Sequence, residues 1–270
     1  MAGGGQAKLV FGRPAQARVR AARQTIQGAL DSDKVVYGVT TGFGALASVS
    51  IDVKDIPKLQ RNLLLSHAVG VGDDLPLDEK RLALILRLHS LCKGYSGVRP
   101  QLVRWFMRLF ELELFPRVPE KGSVGASGDL APLAHLALPV IGAGEIVTTK
   151  GNYISTARAL RKVGIEPLEL AAKEGLALIN GCQVSNAIGL VALANLRVLS
   201  RTADVAAALS IEALMGSHVP FESRVARLRP HPGATATSGN LRRLLLDSEI
   251  NKHHRRLLWL NTLLCRVIDL

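Results

Sequence analysis

The chain has 270 residues, of which 48% are hydrophobic and only 4% aromatic, and it carries a formal charge of +12. The hydrophobic residues are mostly Leu, Ala, Val and Ile, a composition that favours packed helices over sheets rich in aromatic residues. A positive charge of this size is typical of proteins that bind nucleic acid. Here, however, the basic residues are scattered along the chain except at 242–243 and 252–256, and no aromatic residues lie among them to form a stacking surface. We therefore expect a mainly α protein that binds no nucleic acid.

Helical periodicity and chain-breaking residues divide the sequence into successive elements. Helices are predicted over about residues 15–30, 56–69, 78–93, 101–114, 173–200 and 201–215 and from near residue 238, with a hairpin or loop around 142–153. We group these elements into a leading segment and helix at 1–30, a central region at 31–172 and the start of a helical bundle at 173–270.

Cysteine usage and apolar stretches bear on the cellular setting. Cys92, Cys182 and Cys265 lie far apart and form no CxxC pair, so neither a metal site nor a disulfide is predicted. The first residues lack the apolar core of a signal peptide, which predicts a cytoplasmic location. The most apolar stretches, 130–147 and 176–196, are interrupted by polar residues or proline, so buried helices are predicted rather than membrane spans.

Residues 126–128 form a triplet of small residues with a distinctive chemistry. The nitrogen of Gly128 is the least hindered backbone nucleophile that could attack the Ala126 carbonyl, and the Ser127 side chain can lose water to leave an exocyclic methylidene. Such a cyclisation releases two water molecules and creates an electrophile. The plainer interpretation is a small-residue turn that caps a helix beginning at Asp129.

The longer context favours the cyclisation. Residues 119–135 read PEKGSVGASGDLAPLAH, which closely resembles the signature of the histidine and aromatic amino-acid ammonia-lyases. Further resembling segments cover nearly all of the chain from about residue 15; they are YGVTTGFG at 37–44, LQRN at 59–62, SHAVGVG at 66–72, GYSGVR at 94–99, KEGLALING at 173–181 and LRPHPG at 228–233. The resemblance implies an N-terminal active-site domain that leads into a long-helix bundle of the ammonia-lyase and fumarase-like type, incomplete in this chain.

The resemblance also implies a cofactor and site residues. Similar enzymes make 4-methylidene-imidazol-5-one (MIO) autocatalytically from the triplet, here Ala126, Ser127 and Gly128, and use no external cofactor or metal. The implied reaction is the non-oxidative loss of ammonia from an amino acid, in which a base removes a β-proton and an α,β-unsaturated acid remains. The resemblance assigns the base to Tyr37 and a hydrogen bond at the cofactor and amine to Asn180. The structural alternatives are a loop anchor for Tyr37 and a helix cap for Asn180.

The pair Ser66 and His67 indicates the substrate. Phenylalanine-type relatives tend to carry Phe-Leu here, tyrosine-type relatives His-Leu or His-His, and histidine-type relatives Ser-His. The resemblance therefore implies that His67 binds a substrate imidazole, and that L-histidine is converted to trans-urocanate in histidine degradation. A tyrosine or phenylalanine lyase or an aminomutase is the alternative reaction, and a satisfied core residue is the alternative role for His67.

His89 departs from the family pattern. The segment RLHSL at 87–91 holds histidine where similar proteins usually have asparagine. Periodicity places His89 on an apolar helix face with Leu82, Ile85 and Leu86, which predicts a structural role.

The resemblance reaches the stretch CRVIDL at 265–270. Similar proteins continue from it into further helices, which bring the arginine for the substrate carboxylate and other site residues. We expect a partial lyase chain, homotetrameric in its full-length form and with little or no turnover by these residues alone. The alternative is a short product that acts as an inactive interaction module.

Overall fold

A computed structural model describes residues 8–32, 35–42, 51–148 and 151–253. Contacts between residues divide the chain into two compact units, Met1–Val191 and Ala192–Leu270. The three regions drawn from the sequence remain a prediction, because this boundary separates compact bodies rather than functions. Phe43, Gly44, Cys265 and the 265–270 stretch lie outside the described residues.

Helices dominate the described residues, so the predicted mainly α fold class is confirmed. In chain order the α-helices are α1 (Arg13–Leu30), α2 (Ile56–His67), α3 (Leu77–Cys92), α4 (Pro100–Glu111), α5 (Leu130–Ala137), α6 (Thr156–Lys162), α7 (Glu174–Ile179), α8 (Gln183–Ala213), α9 (Ser223–Leu228) and α10 (Pro232–Leu244). Short 3-10 helices lie at Val53–Asp55, Leu138–Ile141 and Val219–Phe221.

Short strands add small antiparallel sheets to the first unit. They are β1 (Val71–Asp74) paired with β3 (Pro119–Lys121), and a sheet of β2 (Phe115–Pro116), β4 (Glu145–Val147) and β5 (Tyr153–Ser155) in that order. The predicted hairpin around 142–153 corresponds to β4 and β5. In the first pair Val71 lies opposite Lys121. Because the strands are antiparallel, the residues before β1 and those after β3 leave the pair at the same end.

The core of the first unit lies where amphipathic helices converge. Helix α4 illustrates this, because Pro100 stands in its first turn and its apolar positions recur at helical spacing. Its buried side chains are Leu102, Val103, Trp105, Phe106 and Leu109. Trp105 also donates its indole N–H to the carbonyl oxygen of Glu166 at 2.9 Å, so the polar edge of its ring is paired.

The break between α7 and α8 corrects the predicted helix boundaries. The sequence predicts one helix over 173–200 and another from residue 201. In the structure α7 ends at Ile179, and α8 runs without a break through residues 200 and 201. Asn180 is extended (φ −89°, ψ 108°) and Gly181 has φ +159°, so neither continues a helix. The prediction failed because helical periodicity outweighed an Asn-Gly pair within an apolar run.

The two apolar stretches differ in burial. The prediction of buried helix is confirmed for 130–141, which is buried throughout α5 and the 3-10 helix after it apart from Leu130 and His135, whereas 142–147 forms a turn and β4. It is wrong for much of 176–196, where Leu190 and Leu193 are each 46% exposed. Periodicity shows that a helix has an apolar face but not what covers it.

Within the described ranges, one helical segment has the length and composition of a membrane-crossing helix. The segment is Glu174–Ala213, which comprises α7, the break and α8. An 18-residue stretch of it has a mean hydropathy of 1.6, and 22% of that stretch is buried. A single segment of this kind is weak evidence, since a core helix of a soluble protein has the same composition. The expected absence of a membrane partner therefore stays a prediction.

Helix α3 buries a different face from the predicted one. Its buried side chains are Lys80, Ala83, Leu84, Arg87, Leu88 and Leu91, whereas His89 is exposed. The prediction failed because a leucine-rich helix offers overlapping apolar stripes. The polar group of the 87–91 segment that enters the core is Arg87.

The second unit has a small core of its own. Ala208 of α8 packs with Leu241 and Leu245, and the Asn240 amide donates to the Asp204 carboxylate at 2.6 Å. Helix α10 begins at Pro232, earlier than the predicted start near residue 238, because proline is well suited to a first helical turn.

Candidate active site

A pocket of about 240 Å³ opens at the end of the β1–β3 pair. One wall comes from the end of α2 and the residues before β1, and the other from the loop after β3 and the start of α5. The lining residues are Ser66, His67, Val69, Gly122, Val124, Ala126, Ser127, Gly128, Leu130 and Ala131. The structure thus brings His67 to the same pocket as the triplet.

The triplet makes a tight turn at this pocket. Ala126 and Ser127 are exposed, whereas Gly128 is buried with φ +128°. A Cβ on Gly128 would stand 2.7 Å from the carbonyl oxygen of Gly181, closer than real Cβ contacts come. Gly125 also has a positive φ of +72°, but it faces open space. Small residues and a glycine that tolerates no side chain fit the MIO precursor that the resemblance implies.

Asp129 ties the triplet to the beginning of α8. Its carboxylate is buried and accepts hydrogen bonds from the Ser185 N–H at 2.7 Å, the Ser185 hydroxyl at 2.5 Å and the Ser123 hydroxyl at 3.3 Å. Asp129 does precede α5, as the plainer interpretation expects, but its side chain makes no capping bond to that helix. It caps the first turn of α8 instead, and local sequence gave no sign of this because Ser185 lies 56 residues away.

Asn180 lies at the break between α7 and α8, beside the triplet. Its neighbour Gly181 accepts a hydrogen bond from the Asp129 N–H at 2.7 Å and meets Gly128 closely. Asn180 is exposed and is the C-cap residue of α7, so its position also agrees with the structural alternative of a helix cap. It is not among the described residues that line the pocket.

The contacts of the His67 ring favour one tautomer of its neutral form. Its Nδ1 lies 2.9 Å from the carbonyl oxygen of Leu63 and 3.1 Å from the Ser66 hydroxyl, and because the carbonyl can only accept, this contact favours the tautomer with the proton on Nδ1. The Ser66 hydroxyl donates to the same carbonyl at 3.2 Å. With Nδ1 engaged, Nε2 of the neutral ring carries the lone pair and is an acceptor.

His135 links the two walls of the pocket. It projects from α5, and its Nε2 accepts a hydrogen bond from the Gly70 N–H at 3.0 Å, just beyond His67 in the chain. A Cβ on Gly70 would lie 3.1 Å from that nitrogen. Burial, and then the positive charge of Arg117, lower the pKa of His135. The sequence indicated only that this histidine follows the motif.

Tyr37 lies in a glycine-containing turn. Gly38 has φ +70°, and its N–H donates to the Thr41 hydroxyl at 3.2 Å. Tyr37 is 56% exposed and is not among the described residues that line the pocket. Its assignment as the base stays a prediction.

Metal-ligating side chains do not cluster in the described part of the chain, where no group of three His, Cys, Asp or Glu residues could hold an ion. Cys182 is exposed, and Cys92 is half-buried, which raises the pKa of its thiol.

A family model described as aromatic amino acid lyase matches residues 1–258. The histidine ammonia-lyase of Sorangium cellulosum is 51% identical over 252 residues, 90% of this chain and 49% of that protein. The histidine ammonia-lyase of Stigmatella aurantiaca is 49% identical over 240 residues, 89% of this chain and 47% of that protein. The chain spans about half the length of the curated relatives it matches.

Solved structures with the same fold include both lyases and aminomutases. Histidine ammonia-lyase from Trypanosoma cruzi gives a TM-score of 0.79 at 40% identity, over 86% of this chain and 44% of its own. Tyrosine aminomutase from Streptomyces globisporus gives 0.88 at 35% identity, over 95% and 49%. Backbone similarity therefore does not by itself choose between the two reactions.

Proposed function

Because this chain belongs to the aromatic amino acid lyase family, we propose that it is part of a histidine ammonia-lyase that eliminates ammonia from L-histidine to give trans-urocanate. The observation that carries the proposal is the pocket shared by His67 and the triplet. The relatives named histidine ammonia-lyase, at about half identity over most of this chain, support the same substrate.

Ala126, Ser127 and Gly128 are the proposed source of the MIO cofactor. Attack of the Gly128 nitrogen on the Ala126 carbonyl and dehydration of Ser127 together release two water molecules. The absence of room for a side chain at Gly128 supports this assignment, and the buried Asp129 fixes the residue that follows. Once formed, the group supplies an electrophilic methylidene to the substrate amine.

His67 is proposed to recognise the substrate ring. Its Nε2, left as an acceptor by the Nδ1 bond to Leu63, can receive the ring N–H of an imidazole. A phenyl ring offers no such donor, whereas the phenol of tyrosine does. The His67 tautomer thus disfavours phenylalanine and leaves tyrosine as the competing substrate.

Tyr37 and Asn180 complete the proposed catalytic set. Tyr37 is assigned the removal of the β-proton, which requires nearby positive charge to stabilise its anion. Asn180 is assigned a hydrogen bond to the amine, supported by the contact of its neighbour Gly181 with Gly128. The cytoplasmic location and the homotetramer predicted for the full-length form belong to the same proposal.

A tyrosine aminomutase is the second candidate. The observation in its favour is the TM-score of 0.88 with the Streptomyces globisporus enzyme. The inactive interaction module predicted from the sequence is the non-enzymatic alternative.

The mass of the purified chain tests the cofactor. We expect the 270-residue chain to be lighter than its encoded mass by two water molecules, and the Ser127→Ala variant not to show this two-water loss, because it lacks the hydroxyl that leaves as one of them. An unmodified wild-type mass would rule out every MIO-based function.

Turnover tests the substrate. The chain alone is expected to release little or no ammonia, so the assay uses a chimera in which residues 1–258 replace the matching half of the Sorangium cellulosum enzyme. We expect urocanate absorbance from L-histidine, and its loss in His67→Leu. Turnover of L-tyrosine instead would support the aminomutase, and robust urocanate production by the isolated chain would contradict the expected dependence on residues that the other half of the Sorangium cellulosum enzyme supplies.

A further inference from the structure

Arg87 is a buried cation that the proposed reaction has not yet used. It lies on α3 and is 5% exposed. None of its hydrogen bonds within the described residues reaches a carboxylate; its partners are two backbone carbonyls and one side-chain amide. Burial lowers the pKa of Arg87 to about 10. Keeping such a group in the core is costly, which is a reason to ask what it holds.

The guanidinium of Arg87 spans the break between α7 and α8. Both of its terminal nitrogens donate to the Asn180 carbonyl oxygen at 3.1 Å. The Nη2 atom also donates to the carbonyl oxygen of Ala177, inside α7. The Nη1 atom also donates to Oε1 of Gln183, the first residue of α8, at 3.0 Å. One planar group therefore fixes the end of one helix, the beginning of the next and the residue between them.

The two ends of α7 are held differently. At its beginning Arg99 binds the buried carboxylate of Glu174, an ion pair of 2.7 Å that accounts for both charges. At its end Arg87 donates, among the described residues, to carbonyl and amide oxygens and to no carboxylate. The ion pair with Glu174 accounts for the buried charge of Arg99 as structural. The charge of Arg87 has no such partner, and its hydrogen bonds converge on Asn180.

We propose that Arg87 is a positioning residue that holds the Asn180–Gly181 segment against the triplet. The segment has little freedom, because a Cβ on Gly181 would come within 2.8 Å of the Arg87 guanidinium and the Gly181 carbonyl binds the Asp129 N–H on the other side. Asn180 thereby keeps a fixed place beside the triplet. A role for this placement in catalysis depends on the proposed elimination reaction. The placement itself depends only on the contacts of Arg87 with this segment.

The side-chain amide signal of Asn180 tests the placement without requiring activity. The full 270-residue chain is labelled with 15N-asparagine, and the signal is assigned by its loss in Asn180→Ala. We expect it to shift or broaden in Arg87→Met. Leu84→Ala is the matched control, since Leu84 is buried on the same helix but belongs to the apolar core, and there the signal should not move.

The outcomes separate positioning from general loosening. An unchanged signal in Arg87→Met, or an equal change in Leu84→Ala, overturns the proposal. Should Arg87→Met fail to fold, Arg87→Lys decides by the same criteria, because lysine keeps the cation but cannot hold all three acceptors in a planar fork.

Ammonia release by the chimera that carries residues 1–258 tests whether the placement of Asn180 affects catalysis. We expect Arg87→Lys to lower kcat about 100-fold, the loss that a misplaced group causes, with little change in KM. In an Asn180→Ala background the same substitution should add little further loss, since its effect passes through Asn180. Fully additive losses would overturn the proposal. If the chimera without further substitutions releases no ammonia from L-histidine, the proposed function fails while the Asn180 signal still decides the placement.

Discussion

The two walls of the pocket are fixed in different ways. The triplet wall is anchored by Asp129, whose buried carboxylate receives both the backbone and the hydroxyl of Ser185. The His67 wall is tied to α5 by a hydrogen bond between the Gly70 N–H and His135. The wall that would carry the chemistry is thus held by a buried carboxylate, and the wall that would recognise the substrate ring is held by an imidazole whose pKa burial lowers.

The largest effect is expected at Gly128, on the triplet wall. Gly128→Ala should cost about 1–3 kcal/mol for the positive φ and about as much again for the collision with Gly181. Gly125→Ala is the control, because it shares the positive φ but meets open space. Urea unfolding measures both, and equal losses of stability would show that the close approach to Gly181 is not rigid.

Asp129 comes next. Asp129→Ala should lower the free energy of unfolding by about 3 kcal/mol, since the Ser185 N–H and hydroxyl lose a charged acceptor. Asp129→Asn keeps one acceptor oxygen and should recover part of this. A loss below about 1 kcal/mol for the alanine variant, the value of an ordinary hydrogen bond, would remove the proposed difference between the walls.

A smaller effect is expected at His135, on the other wall. His135→Leu should cost about 1 kcal/mol because the Gly70 N–H loses its acceptor. His135→Gln offers an amide oxygen near the position of Nε2 and should restore most of the stability. Equal unfolding midpoints for the two variants would mean that the bond contributes nothing.

The smallest effect is the pH dependence of the same bond. Burial holds the pKa of folded His135 below its ordinary 6.5, so the unfolded chain binds this proton more readily. The contribution of His135 is therefore complete above about pH 6.5 and is lost as the pH falls through the folded pKa. Urea unfolding of the wild type and His135→Gln at neutral and mildly acidic pH measures the difference. We expect a shallower acid loss in the variant, and parallel losses would contradict the assignment.

Local reasoning predicted what local contacts determine. Helical periodicity located α1 to α4 closely, and the small residues around the triplet indicated a tight turn. Periodicity did not predict the end of α7, where hydrogen bonds from Arg87 of α3 hold the chain. It also did not predict which face of α3 is buried. The contacts between Arg87 and Asn180 join residues 93 apart, and no periodic pattern records such a pair.

The site was predicted unevenly for the same reason. His67 and the triplet were named from the resemblance, and the structure places them in one pocket. Asp129 was noted only as part of a turn and His135 only as the residue that ends the motif, because their partners Ser185 and Gly70 are distant in sequence. Tyr37 keeps the role that the resemblance implies, although it is not among the described residues that line the pocket.

The helix break also supplies a place for an optical reporter. Cys182 is exposed and lies two residues after Asn180, whereas burial raises the pKa of the Cys92 thiol and leaves less of it as the reactive thiolate. With Cys265 replaced by serine, a maleimide dye should attach to Cys182 first. Its fluorescence would then follow amino-acid arrival at the segment held by Arg87 in real time, even in a chain that completes no catalytic cycle.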